Sequence, residues 1–343
     1  MKSIGSLFAI LLMSPLLAGA ACSTASQPMN QEGYVQIGGI QQWVTVKGCS
    51  RANPVLLMVH GGPGNPMSPY SAKLYGAWEQ HYTLVQWDQR GAGRTYAKSP
   101  PADGQMLTVE QLAADGNEVA AYIAGRLGKR KVILMGSSWG SVLAVHMART
   151  RPELYSAYLG TAQVVNGQAD QASSYAAVMA RARAVDDQDA IGKLEVLGAP
   201  PWTNPRNFGI LRRVIRKYEG QRTEPAPKDW GQPEARYATP QAQADYEAGE
   251  DYSFLQFVGM KGDGMASRID LYALGTAFSV PVFLVQGEED LLTVAAGTRR
   301  YYESIRAPQK DYVSIPRVGH DPNQAMLDTQ FKLLQERVRK LAQ

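Results

Sequence analysis

The sequence predicts an α/β architecture: a mostly parallel sheet with helices on both faces and a helical segment inserted into it. Three observations predict it. Short apolar runs of strand length alternate with stretches whose apolar residues recur at helical spacing. That alternation lapses between residues 165 and 275, where helical segments occur without a convincing strand. With 343 residues, the chain is long enough for one large sheet domain carrying an inserted subdomain.

The elements follow in order. Residues 1–21 have the anatomy of a secretory signal peptide: Lys2, an apolar run over 7–18, then Ala18-Gly19-Ala20 as an A-x-A cleavage site. The apolar core is short for a membrane span. Export to a bacterial periplasm or the outside is therefore expected. A second reading makes Cys22 the lipidated first residue of a membrane-anchored lipoprotein, although Gly19 stands where such signals usually have Leu. Cys22 and Cys49 are the only cysteines, and with Cys22 at a loose terminus no structural disulfide is expected.

Residues 22–32 are polar and irregular and read as a flexible tether. The sheet domain is expected over 33–164 and again over 276–343, with a helical cap over 165–275. Residues 34–47 form two short segments split by Gly38-Gly39, a hairpin pattern. Strands are predicted at 54–59, 82–87, 131–135, 155–159, 280–286 and 312–315. Helices are predicted over 108–127, stopped by Gly128, over 141–151, and over 324–341.

The chemistry gathers where these strands end. Gly136-Ser137-Ser138-Trp139-Gly140 lies between a predicted strand and a predicted helix, the context of a nucleophile elbow. Ser138, not Ser137, has glycine two residues away on both sides. A serine hydroxyl needs a base. Of His60, His81, His146 and His320, the last follows a strand late in the chain, where a Ser…acid…His order puts the base; the other three read as structural. The acid should follow the strand at 280–286, which ends at Glu288, Glu289 and Asp290. Backbone N–H groups of Trp139 and of the Gly61-Gly62 segment, Gly62 in particular, are the expected oxyanion donors. No metal-ligand spacing is present, and this chemistry calls for no cofactor.

Taken together, His60-Gly61-Gly62-Pro63-Gly64, Asp88-Gln89-Arg90-Gly91-Ala92-Gly93-Arg94 and Gly136-Ser137-Ser138-Trp139-Gly140-Ser141 resemble the prolyl aminopeptidase (proline iminopeptidase) branch of the α/β-hydrolases. Gly287-Glu288-Glu289-Asp290-Leu291-Leu292-Thr293 and Gly319-His320 match that branch's acid and histidine segments. The resemblance spans roughly residues 33–164 and 278–341. It implies the α/β-hydrolase fold, Asp290 as the acid with Glu289 in reserve, and release of an N-terminal residue, often proline, from small peptides. It also implies that cap acids hold the free amino group. Glu219, Glu247 and Glu250, with Asp251, are the available acids, each of which otherwise reads as helix-surface charge. The chain departs from the pattern at Ser137, where the branch commonly has Gly, and in the cap, which lacks a clear match to its Trp/Glu segment. A carboxylesterase or lactonase acting on small esters is the alternative, because such a triad does not record the bond type; a non-catalytic binding protein is the remote one.

Other classes fall away. A formal charge of +4 from scattered basic residues does not make a nucleic-acid footprint. Beyond the signal no apolar run is long enough to embed the chain in a membrane, leaving only the anchor at Cys22 for membrane contact.

Overall fold

The computed structural model describes Cys22 and residues 28–342. The signal-peptide reading and residues 23–27 of the tether lie outside the described residues. The chain opens with a hairpin, β1 (Met29–Ile37) and β2 (Ile40–Gly48), turning at Gly38-Gly39. Both glycines have positive φ, which a tight two-residue hairpin turn requires. Then come β3 (Val55–Val59), α1 (Ser71–Tyr75), β4 (Thr83–Trp87), α2 (Gly93–Lys98) and α3 (Val109–Leu127). β5 (Val132–Ser137), α4 (Trp139–Thr150) and β6 (Tyr155–Thr161) follow. Five helices separate β6 from the next strand: α5 (Gly167–Ala184), α6 (Gln188–Leu197), α7 (Arg206–Gly220), α8 (Pro240–Val258) and α9 (Leu271–Leu274). The chain closes with β7 (Val282–Gly287), α10 (Ala295–Ser304), β8 (Lys310–Ile315) and α11 (Gln324–Leu333).

The strands form one eight-stranded sheet in the order β1-β2-β4-β3-β5-β6-β7-β8. The hairpin joins antiparallel and everything from β4 onward is parallel. The central strands are buried along their whole length, which is why they read as continuous apolar runs. Their side chains still alternate. Val55, Leu57 and Val59 join the core under α3 and α4, whereas Leu56 and Met58 point to the opposite core, which α11 completes with Met326 and Leu327. A third core, around Val178, Leu194, Ile215 and Tyr218, binds α5, α6 and α7 together and takes in Leu291 from the loop after β7. The helical insertion is thus packed onto a loop of the sheet domain.

Two expectations are corrected at the N-terminal edge. The tether was expected to reach residue 32, but Met29, Asn30, Gln31 and Glu32 already pair with β2. The second concerns the cysteines: Cys22 and Cys49, the residue after β2, form a disulfide. A structural bridge therefore exists where none was expected. It occupies the sulfur that lipidation of Cys22 would need. Among the described residues no helix is long and apolar enough to cross a membrane.

Candidate active site

β5 delivers Ser138 to α4 through a turn too abrupt for ordinary backbone. Ser138 has φ 52° and ψ −124°, a conformation L-residues rarely adopt. The flanking glycines make the turn feasible. A Cβ on Gly136 would stand 2.5 Å from the carbonyl oxygen of Gly140, and one on Gly140 would stand 2.1 Å from that of Val59. Strand and helix can approach this closely only without those side chains. The helix starts at once, at Trp139 rather than at 141 as the sequence suggested. As the first residue of the helix, Trp139 has an N–H group with no intrahelical acceptor.

Three side chains converge there. Ser138 Oγ lies 2.9 Å from His320 Nε2. His320 Nδ1 lies 3.0 Å from Asp290 Oδ2 and 3.2 Å from Oδ1. Asp290 is fixed by its own loop and by β7: the N–H groups of Leu292 and Thr293 donate to Oδ1, while Thr293 Oγ1 and, from the strand, Gln286 Nε2 donate to Oδ2. Burial pushes the Asp290 carboxyl up, but the His320 ring and these donors outweigh it and hold the group below its ordinary value. Glu289, the reserve acid, faces away and pairs with Arg181 and Arg222. Ser137, the rival serine, ends β5 and pairs in register with Thr161.

Glu219 is not the helix-surface charge the sequence suggested. It is buried at the end of α7, where Oε1 accepts from Leu291 N and Oε2 from His320 N. One carboxylate therefore ties the acid loop to the histidine loop. Burial, and then repulsion by Asp290, push its pKa up. It is absent from the lining of the cavity above Ser138, so the structure gives it a positioning place and not the substrate-binding one expected of it.

The three N-terminal motifs meet through Gln89. Its side chain donates to His60 O and accepts from the Trp139 indole, and its N–H donates to His60 Nε2. His60 is a structural histidine, as expected. Its Nδ1 lies 2.9 Å from Gly61 O, and burial lowers its pKa to about 4, so the ring is neutral. His81 packs edge-on against Phe331, and His146 lies on α4 well away from the elbow. Gly61 comes so near the elbow that a Cβ there would be 3.4 Å from Ser138 Cβ, which places the Gly61-Gly62 backbone beside the hydroxyl.

A cavity of about 560 Å³ opens above these groups, within the usual range for small-molecule sites. Ser138, His320, Gly61 and Gly62 form its floor, and Phe208, Phe254 and Phe257 from the insertion contribute apolar wall. Of the insertion acids singled out by sequence, only Glu250 lines it; Glu247 borders a neighbouring cavity of about 380 Å³, and Asp251 is exposed. Asp170, which no motif marks, also lines the main cavity. It accepts from Val165 N and Asn166 N, and burial pushes it up to about 6.

A sheet of this order, whose fifth strand hands a serine to the next helix through a left-handed turn, is the α/β-hydrolase fold. Solved structures carry the same fold. A proline iminopeptidase from Mycobacterium smegmatis superposes with TM-score 0.61 at 19% identity, covering 91% of this chain and 97% of that one. VinJ superposes with TM-score 0.64 at 18% identity, covering 91% and 99%. Within that class the chain belongs to the family described as "Serine aminopeptidase, S33", whose family model matches residues 50–324. A Bacillus subtilis relative, "Probable aminopeptidase YbaC", is 28% identical over 296 residues, 84% of this chain and 90% of its own length. A Streptomyces coelicolor relative, "Probable proline iminopeptidase", is 26% identical over 282 residues, 77% and 82% of the two chains. The chain is accordingly a prolyl-aminopeptidase-like hydrolase.

Proposed function

We propose that this hydrolase is an exported serine aminopeptidase that releases an N-terminal residue from small peptides through an acyl-enzyme. The observation that carries the reading is the Ser138–His320–Asp290 hydrogen-bonded chain beneath a cavity that Glu250 also lines. Glu250 makes no ion pair among the described residues, and α8 presses it toward the glycine loop: a Cβ on Gly64 would meet Glu250 Cα at 2.8 Å. A carboxylate so placed offers a partner for the α-ammonium of a substrate. The aminopeptidase and proline iminopeptidase relatives support the same reading.

In this mechanism His320 takes the proton of Ser138 as Oγ attacks the scissile carbonyl. The oxyanion is held by the backbone N–H groups of Trp139 and Gly62. His320 then gives the proton to the departing amine as the C–N bond breaks. Water, deprotonated by the same ring, releases the acyl group and restores Ser138. Asp290 keeps Nδ1 protonated and steadies the imidazolium formed on the way. The insertion acts as the cap that shields these steps from bulk water. Export accords with the N-terminal sequence and with the Cys22–Cys49 bridge, which suits an oxidising compartment; in this reading Cys22 stays in the bridge and carries no lipid.

The test is hydrolysis of proline-p-nitroanilide, other aminoacyl-anilides and p-nitrophenyl esters, each with a free and an acetylated amine. Cleavage of free-amine anilides that is lost on acetylation, and weakened in Glu250→Gln mainly through KM, is the expected result. Cleavage of esters alone would move the assignment to an esterase or lactonase.

A further inference from the structure

Beyond His320, two arginines line the cavity beside one lining carboxylate, Asp321. Arg212 on α7 donates from Nη2 to Oδ1 of Asp321, the residue after the catalytic-site histidine, at 2.5 Å. Arg216, one turn further on, brings Nε to 3.8 Å from Asp321 Oδ2. Two guanidinium groups thus share one carboxylate. Arg212 Nη1 is buried and has no hydrogen-bond partner among the described residues. A donor held out of water without an acceptor is costly, so the site is one acceptor short. Arg212, Arg216 and Asp321 line the same cavity as Ser138 and His320.

We infer that Arg212, backed by Arg216, receives the free α-carboxylate of the residue that leaves, so that the preferred substrates are dipeptides with an unblocked C-terminus. The inference rests on the aminopeptidase reading and adds the identity of the leaving side. Its geometry comes from the reaction. The leaving nitrogen must take its proton from His320, so the residue bearing that nitrogen lies on the His320 side of the cavity. In a dipeptide its carboxylate is only two bonds further on. Glu250 stands on the glycine-loop side and the arginine pair, with Asp321, on the His320 side, so a carboxylate and a guanidinium lie at separate places along one cavity. A dipeptide zwitterion has the matching polarity. Arg212 lines the cavity with Nη2 bonded to Asp321, and a small rotation of its planar guanidinium fork would bring the unpaired Nη1 to one carboxylate oxygen. In the hydrolysis itself the peptide C–N bond breaks, water supplies the acyl oxygen and the amine proton, and the carboxylate at Arg212 is unchanged.

The experiment compares kcat/KM for a dipeptide X-Gly with that for its amide X-Gly-NH2, X being the residue best released from an anilide. Because both substrates are read on one preparation, a partly misfolded variant changes both rates and leaves their ratio intact. In wild type the acid should exceed the amide by about ten- to a hundredfold, the worth of one charge-assisted hydrogen bond. Arg212→Gln should bring the ratio close to one, and Arg212→Lys should recover part of it. Equal rates on acid and amide in wild type, or a ratio that survives both substitutions, overturn the inference while leaving an aminopeptidase. Failure to cleave any peptide or anilide, with esters cleaved, overturns the aminopeptidase reading and this inference with it.

Discussion

Asp290 takes three hydrogen bonds from its own loop and one from Gln286 on β7 before it reaches His320, so its carboxylate is positioned independently of the ring beside it. Asp290→Asn should keep the fold and lower kcat by about three to four orders of magnitude, because an amide in that place favours the wrong imidazole tautomer. Steady-state anilide kinetics check this. His60 makes a different prediction, one about stability. Its pKa falls from the ordinary 6.5 to about 4 on burial. Between those values the unfolded chain binds a proton that the folded chain refuses, so the contribution is complete above pH 6.5 and is lost as pH falls toward 4. The loss should reach on the order of 3 kcal/mol. Asp88 and Asp170, pushed up to about 6 by burial, slope the opposite way, so the comparison is between wild type and His60→Asn in denaturant unfolding across that window. Only wild type should show the His60 component. At this scale Ser138 and His320 were legible from spacing and chain order. Asp290 could be told from Glu288 and Glu289 only through family likeness. Glu219 was misread because sequence records its charge but not its burial, which depends on α7 lying across two loops distant in the chain.

The element that organises the site is α7. Leu211, Val214, Ile215 and Tyr218 bury one side of it in the third core. Arg212, Arg216 and Glu219 recur at intervals of four and three, so they share a face, and that face meets the loops after β7 and β8. Glu219→Gln keeps the acceptor for Leu291 N but sets an amide donor against His320 N. The substitution should lower kcat about ten- to a hundredfold with little change in KM, since a small displacement of a base has effects of that size. An equal fall in kcat and thermal midpoint, with His320 still ordered, would assign Glu219 to stability alone. The strands were legible because parallel strands buried on both faces must be continuously apolar. The insertion was legible as helical but not in its arrangement, because α5 and α8 show no strong apolar stripe from which to read a packing face.

Across the whole molecule, one sheet edge and one insertion decide the outcome. Neither the pairing of residues 29–32 with β2 nor the Cys22–Cys49 bridge was legible, because both depend on partners distant in the chain while the segment itself is polar and irregular. Reduction, or Cys49→Ser, should lower unfolding stability on the order of 3 kcal/mol in the chain-entropy account, measured by denaturant titration with and without reductant. Residues of the insertion between β6 and β7, Glu250, Arg212 and Arg216 among them, line the same cavity as Ser138 and His320. The central claim is that Ser138 is the nucleophile of an aminopeptidase. It is tested most directly by treating wild type and Ser138→Ala with a serine-directed phosphonate, mapping the adduct by mass spectrometry and following aminoacyl-anilide cleavage in the same samples. An adduct on Ser138 with activity lost in step, and neither adduct nor activity in Ser138→Ala, is the expected result. An adduct on another residue, or anilide cleavage that survives Ser138→Ala, would contradict it.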